Sequence, residues 1–407
     1  MRYLFIHQNF PGQFRHVVKA LAEIPVNEIV ALGDAKNLSA AAAIHPAVRI
    51  VAYSLDKNKA HDTHHYIRDF EGHIRRGQSV VKALLKMRDG DKFYPDVIVV
   101  HPGWGEGLFL KDVYPRARLV AYAEFYYRGL GSDVGFDPEF PSTLDDQLRV
   151  RVKNSTQLNS LVQADAVVSP TEWQKSAYPA ELQQKIHLIH EGIDTERVRP
   201  QASAWIQVNE KKFQVGDEIV TYVARNLEPY RGFHTFIRSI PTLQALRPNA
   251  QIVIVGGNDV SYGKRPPEGQ SYRERYCQEV KGQVDWRKVF FVGTLSYANY
   301  LRVLQVSAAH VYLTYPFVLS WSMLEAMSVG GVLVASNTAP VREVIEDGRN
   351  GHLVDFFDPD QVAHKLAHVL AFPEEQQLIR KQARETVVSR FDLQEKALPA
   401  MLQLLRA

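Results

Sequence analysis

The sequence predicts an α/β protein built from two doubly wound, parallel-sheet halves. Two observations carry this. Short, nearly continuous apolar runs alternate with segments of helical period, as strands buried on both faces alternate with crossover helices. The alternation stops in a polar, non-periodic stretch from Glu196 to Glu210, which reads as a linker, and then begins again. At 407 residues the chain can bury one core per half. The expected division is residues 1–195 together with a returning helix 391–407, and residues 196–390.

The first half opens with a strand at Tyr3 to Ile6, a loop from His7, and a helix whose Phe14, Val17, Val18 and Leu21 share one face. Gly12 in that loop either lets backbone approach a ligand or simply makes a turn, and no G-x-G-x-x-G accompanies it. Further strands are expected at Glu28 to Leu32, Val48 to Ala52, Val97 to Val100, Arg118 to Ala123, Ala166 to Ser169 and Ile186 to Ile189. Between Tyr66 and Met87 a helix can face the core with Ile67, Phe70, Ile74, Val81, Leu84 and Leu85. Its Arg68, Arg75, Arg76, Lys82, Lys86 and Arg88 then form a solvated outer face, the alternative being contact with anionic lipid headgroups. His61, His64 and His65 read as a solvated loop, because no carboxylate or cysteine at ligand spacing completes a metal site.

Ligands of open parallel sheets sit beyond the carboxyl ends of the strands. His101 and Glu124 stand at two such ends. Each has a plainer reading: His101 as a buried imidazole with a locked tautomer, Glu124 as the partner of Arg128 one turn on. The Gly129 to Asp146 segment is a long loop rich in Gly, Pro and acids, suited to a hydroxyl-rich ligand.

The second series runs through Ile219 to Val223, Gln251 to Val255, Val289 to Val292, Val311 to Leu313 and Val332 to Ala335. Arg225 and Arg231 lie in the loop after its first strand, and guanidinium forks match phosphate oxygens; capping or solvation is the other reading. Gly256, Gly257 and Gly293 close two more strands, where glycine makes a turn or lets a flat base or ribose lie on backbone. After Val311 to Leu313, Pro316 breaks the run, and Ser322 with Glu325 has the form of a capping box opening a helix. The N–H groups of residues 318 to 322 are then expected to attract an anion. Helices follow at Pro359 to Leu370, Glu374 to Arg390 and from Phe391 to Leu405.

Formal charge is only +3, which makes no case for nucleic acid, and a single cysteine, Cys277, fits a reducing cytoplasm without a disulfide framework. No apolar span approaches the roughly 20 residues needed to cross a bilayer. A soluble, cytoplasmic protein is expected, with peripheral contact at the inner membrane face as an option.

These motifs, in this order, resemble glycosyltransferase family 4, retaining enzymes of the GT-B fold. In the second half the resemblance rests on Ala224-Arg225 through Arg231-Gly232, Val255-Gly256-Gly257, Phe291-Val292-Gly293 and Leu324-Glu325-Ala326-Met327. In the first half a subgroup of the family is matched by Phe5-Ile-His-Gln-Asn-Phe-Pro-Gly-Gln-Phe14, Pro95-Asp96, His101-Pro-Gly-Trp-Gly105, Glu124-Phe-Tyr-Tyr127, Ser169-Pro-Thr-Glu-Trp-Gln174 and Gly192-Ile-Asp194. The resemblance implies two Rossmann-like domains facing across a cleft, with the final helix crossing back to the N-terminal one. It implies that Arg225 and Arg231 bind the diphosphate of a nucleotide-sugar, that Glu325 accepts hydrogen bonds from the ribose, that Gly293 and Leu295 lie near the base, and that Gly12 approaches the sugar or diphosphate. The chain departs from the family pattern at Phe317, where a glutamate is usual, at Val318 and Ser320, where glycines flank it, at Tyr230, where lysine is common, and at Glu124, where many members carry histidine.

The implied reaction is retaining transfer of a sugar, hexosyl or related, from a nucleotide-diphosphate donor to a hydroxyl acceptor, glycan, lipid-linked or other, in polysaccharide or glycoconjugate synthesis. Arg231, His101 and Glu124 are the expected catalytic residues, and Leu319 joins the backbone cradle at 318 to 320. No cofactor and no metal are expected, since arginines and helix-end N–H groups can stabilise the leaving diphosphate. A non-catalytic GT-B scaffold that binds nucleotide-sugar or glycan is the alternative, prompted by Phe317. A dinucleotide-dependent redox enzyme is disfavoured by the missing G-x-G-x-x-G.

Overall fold

The computed structural model describes residues 1–38, 44–55 and 62–406. The chain divides into two compact units, Met1–Gly192 with Gln394–Ala407, and Ile193–Leu393. Ile193 belongs to the second because its N–H donates to the Phe391 carbonyl at 2.8 Å and its carbonyl accepts from Leu393 N–H at 2.9 Å.

The first unit holds seven parallel strands: β1 (Arg2–Ile6), β2 (Glu28–Asp34), β3 (Val48–Tyr53), β4 (Val97–Val100), β5 (Arg118–Tyr122), β6 (Ala166–Ser169) and β7 (Ile186–Leu188), in the order β3-β2-β1-β4-β5-β6-β7. Both faces are buried, as the apolar runs require. Leu4 and Ile6 pack to one side with Leu84, Leu110 and Leu161, while Tyr3 and Phe5 pack to the other with Phe14, Val18 and Leu21. The last helix, Leu398–Arg406, joins that second layer through Met401, Leu404 and Leu405, and Arg118 donates to the Leu404 carbonyl.

In the second unit an antiparallel pair, β8 (Trp205–Val208) and β9 (Lys211–Gln214), precedes six parallel strands: β10 (Ile219–Asn226), β11 (Gln251–Gly257), β12 (Val289–Gly293), β13 (Ala309–Tyr312), β14 (Leu333–Ser336) and β15 (His352–Val354), ordered β12-β11-β10-β13-β14-β15. Both large sheets are open and wholly parallel, and in each the order reverses beside its first strand, between β1 and β4 and between β10 and β13. Loops diverge at such a point and leave a crevice at the carboxyl ends.

Several expectations need correction. The linker at 196–210 contains β8, whose Ile206 and Val208 alternate inward over too short a run to register as periodic. The segment at 129–146 is shortened because Thr143 and Asp146 form a capping box that starts a helix at Leu144. The helix expected over 66–87 spans Arg68–Leu85, and Arg76 turns inward rather than to solvent: its Nη1 donates to the Trp104 carbonyl at 3.0 Å. The helix expected from Phe391 is broken at Asp392, whose carboxylate accepts from the Thr195 hydroxyl at 2.5 Å, so Phe391 ends the preceding helix. Ser322 does not open its helix either. The helix is Trp321–Ser328, capped by Ser320, whose Oγ accepts from Ser322 N–H. Glu325 therefore sits too far along to close a capping box, and its carboxylate is engaged elsewhere.

Candidate functional site

In the second unit, the crevice between β10 and β13 is lined by the loop from Leu227 to Gly232 and the segment from Leu313 to Ser320. Gly232 is necessary to this layout: it has φ +66°, and a Cβ there would lie 2.2 Å from Leu313 Cβ. Its tight turn sends Arg231 into the crevice. Arg231 is 8% exposed; its Nη1 donates to Thr314 Oγ1 at 2.8 Å and lies 3.5 Å from the Tyr312 hydroxyl. Burial pulls against its charge, but neighbouring tyrosine hydroxyls, Tyr312 foremost, hold its pKa above the usual arginine value. Rings of Tyr262 and Phe317 stand 5.4 and 5.8 Å from the guanidinium carbon. Among the described residues no carboxylate pairs with Arg231. A buried cation held only by neutral groups is costly unless an anion completes it.

Arg225, expected in the same loop, is instead the penultimate residue of β10, because the strand continues past a bulge to pair Asn226 with Gly257. It is exposed, and among the described residues its side chain has no hydrogen-bond or ion-pair partner. The anion cradle at 318–322 is smaller than expected. Ser320 N–H donates to the Tyr312 hydroxyl at 2.8 Å and Ser322 N–H to Ser320 Oγ, leaving among the described residues the N–H groups of Val318, Leu319 and Trp321. Phe317 is buried against Tyr230 and Tyr262, with ring centroids 5.5 and 4.9 Å away, so the wall beside Arg231 is aromatic.

Glu325, 9% exposed, accepts from the hydroxyls of Tyr297 at 2.6 Å and Tyr300 at 2.5 Å, one on each oxygen. Burial first, and the carboxylate second, push both phenols above their ordinary pKa. Gly293, with φ +67°, ends β12, and Leu295 half-buries in the turn leading to the helix whose Tyr297 and Tyr300 reach Glu325. Gly256 and Gly257 end β11; a Cβ on Gly257 would meet Asn226 Oδ1 at 2.6 Å.

Sequence reasoning missed Glu228. It is buried, and its carboxylate accepts from the N–H groups of Ser261 at 3.0 Å and of Tyr262 and Gly263 at 3.2 Å each. That anchors the loop carrying Tyr262 over Arg231. Thr314 and Tyr312 were missed as well; polar side chains at the end of an apolar run were the only signal.

In the first unit, the crevice between β1 and β4 brings His101 and Glu124 together. His101 Nε2 lies 3.3 Å from Glu124 Oε2, and Gln13 Nε2 donates to Glu124 Oε1 at 2.7 Å. Glu124 is therefore not paired with Arg128, which donates to the carbonyls of Ala177 and Ser176. The Glu124 carbonyl accepts from Gln174 Nε2. Burial opposes ionisation of Glu124, but His101, His7 and Gln13 together outweigh it and hold the carboxyl below the usual range. His101 stacks on Trp104, centroids 4.5 Å apart. Gly12, with φ +48°, lies so close to His7 that a Cβ would stand 2.4 Å from Nε2. Its glycine is thus required by the His7 ring, whatever ligand role it has.

Of the histidine loop, His61 lies outside the described residues; His65 Nε2 is 3.4 Å from Asp145 Oδ2. Asp-x-Asp pairs occur at Asp89 and Asp91, engaged by Arg88 and Arg49, and at Asp358 and Asp360, where Asp358 caps a helix and Asp360 accepts from Thr242. Among the described residues no helix is long and apolar enough to cross a membrane.

Comparison with known proteins agrees with this layout. Residues 25–198 match the glycosyl transferase family 4 group and residues 204–386 match glycosyl transferases group 1. The spore coat protein SA of Bacillus subtilis is 23% identical over 225 residues, 52% of this chain and 56% of that protein. A phosphatidyl-myo-inositol mannosyltransferase of Mycobacterium tuberculosis is 29% identical over 176 residues, 42% of this chain and 43% of that one. The chain thus spans about half the length of these curated relatives. The crystal structure of Anabaena Alr3699/HepE in complex with UDP and glucose is similar over 100% of this chain and 99% of that one, with a TM-score of 0.68 at 15% identity. With a family 4 group match in its first half and a group 1 match in its second, the chain is glycosyltransferase-like and has the GT-B fold.

Proposed function

We propose that the protein is a retaining glycosyltransferase that moves a sugar from a nucleotide-diphosphate donor to a hydroxyl acceptor in polysaccharide or glycoconjugate synthesis. The observation that carries this reading is Arg231, a buried cation with hydroxyl partners and, among the described residues, no carboxylate. A diphosphate would complete it, with Arg225 and the free N–H groups of Val318 and Leu319 reaching other oxygens. As the glycosidic bond breaks, negative charge grows on the leaving diphosphate, and these fixed donors stabilise it without requiring a divalent ion. Glu325 would accept from the ribose and Gly293 and Leu295 would flank the base. That HepE was crystallised with UDP and glucose, and that the mycobacterial relative is named a mannosyltransferase, supports a nucleotide-sugar donor.

In the first unit, Glu124 would accept a hydrogen bond from a sugar or acceptor hydroxyl, or stabilise positive charge at the reacting carbon. The acceptor would be a glycan or a lipid-linked sugar, met in the cytoplasm or at the inner membrane face. Incubation with a panel of nucleotide-sugars, followed by assay of released nucleoside diphosphate and NMR of the product anomer, tests the proposal. Release with retained anomeric configuration is expected. Tight binding without turnover, even with acceptors present, would instead establish a non-catalytic scaffold, the reading that the aromatic Phe317 wall favours.

A further inference from the structure

Five described histidines of the first unit share one local geometry: His45 and His64 have it in exposed turns, and His7, His101 and His190 have it around the Glu124 network. Nδ1 of His7 accepts from Asn9 N–H at 2.9 Å, Nδ1 of His101 from Gly103 N–H at 3.3 Å, and Nδ1 of His190 from Gly192 N–H at 3.0 Å. A backbone N–H can only donate, so each Nδ1 must be unprotonated, and the neutral ring carries its proton on Nε2. His7 Nε2–H therefore donates to Gln13 Oε1, 2.8 Å away. This orients the amide: Gln13 Oε1 is taken, and its NH2 must face Glu124 Oε1. His101 Nε2–H donates to the other carboxylate oxygen.

We infer that Gln13, oriented by His7, is a positioning residue that keeps the Glu124 carboxylate ionised and aimed, so that Glu124 serves as a fixed hydrogen-bond acceptor. The side chain of Glu124 is 31% exposed, so the lone pairs not used by Gln13 and His101 can receive a hydroxyl. The remaining groups that face Glu124 are the phenols of Tyr122 on β5 and of Tyr178, which follows the helix Glu172–Ala177. Tyr122 is itself committed to Glu191, which His190 also contacts at 3.4 Å. Burial pushes both phenols well above their ordinary range and lowers His7 to about 3. Neither phenol nor His7 changes charge between pH 4 and 9, on the order of the usual assay range. Glu124 is therefore the carboxyl whose titration reports the Gln13 contact. The inference rests on the proposed glycosyl transfer only for the use Glu124 is put to; the orientation itself can be tested separately.

The measurement is a pH titration of the Glu124 carboxyl carbon by NMR in full-length protein labelled with 13C at glutamate Cδ, the resonance being assigned by its loss in Glu124→Gln. Gln13→Met removes one donor at similar volume, and the midpoint should rise by about one pH unit, the shift expected for losing a hydrogen bond to a charged group. His7→Phe unlocks the amide and should move it in the same direction, while the double variant adds little to Gln13→Met, because both act through one contact. The acid limb of kcat/KM for transfer should follow the NMR midpoint. An unmoved midpoint in folded Gln13→Met, or in His7→Phe should that variant alone fold, overturns the inference. A shifted midpoint in a protein that turns over no nucleotide-sugar leaves the positioning role intact and overturns the transferase reading instead.

Discussion

Replacing Arg231 by Met separates function from stability, because the two respond in opposite senses. Arg231 is 8% exposed, and its guanidinium donates to Thr314 Oγ1 at 2.8 Å and to the more distant Tyr312 hydroxyl at 3.5 Å. If it stabilises charge on a leaving diphosphate, its removal costs about 3–4 kcal/mol of transition-state stabilisation, on the order of a 100- to 1,000-fold loss in kcat. The unliganded protein, however, loses a buried charge without an acidic partner. Methionine fills similar volume among Tyr262, Phe317 and Tyr312, and replacing buried ionic groups by packed apolar ones is neutral or stabilising by about 1–4 kcal/mol. Steady-state release of nucleoside diphosphate, paired with thermal unfolding of the free protein, measures both. Activity should collapse while Tm holds or rises. Wild-type turnover accompanied by a lowered Tm would refute the reasoning, since Arg231 would then be a structural cation.

Three further outcomes are expected. Glu228→Gln puts an NH2 group where a backbone N–H now points, so the 261–263 loop loses at least one of its three anchors; amide exchange there should quicken and donor affinity fall by about tenfold, near the value of one charged hydrogen bond, as read by hydrogen exchange and calorimetric titration. Glu325→Gln leaves Tyr297 or Tyr300 without its acceptor, which should destabilise the second unit by about 1–2 kcal/mol and raise donor KM more than it lowers kcat, the mark of ground-state binding. The third concerns pH. His310 is fully buried, and burial lowers its pKa to about 3. The native ring stays neutral while the unfolded one takes a proton below its ordinary pKa of about 6.5, so its contribution to stability is whole above that value and is lost as pH falls toward 3. At pH 5 the wild type should take up about one proton more on unfolding than His310→Phe, measured by calorimetry in buffers of different ionisation enthalpy.

The sheet strands were legible because a strand buried on both faces shows as an unbroken apolar run, as at Tyr3 to Ile6 or Val97 to Val100. Ile206 and Val208 were not, because two inward residues in a polar setting make no period. Arg231 could be found because arginine and glycine after a strand suggest an anion site, but nothing local distinguished its buried side chain from the exposed one of Arg225. The capping role of Ser322 failed for a reason of register: Ser320, two residues earlier, offered a hydroxyl to the same turn and took the position. The Glu124 network was least legible of all. His7, Gln13, His101 and Glu124 are far apart in the chain except for the first two, and only the parallel pairing of β1 with β4 and β4 with β5 brings them to one rim.

The way Glu228 holds its loop bears on how freely this protein can change. The three groups it grips are main-chain N–H groups, which every residue but proline possesses. The grip of Glu228 therefore does not depend on side chains, although Ser261 Oγ also accepts from Asn226 Nδ2 at 2.8 Å and a Cβ at 263 would stand 3.3 Å from the Tyr230 ring. An acid at 228 thus fixes where the loop sits by its main chain alone, while the side chains at 261 and 263 set how it leans on Asn226 and Tyr230, so changes there can retune the crevice without unfastening the loop.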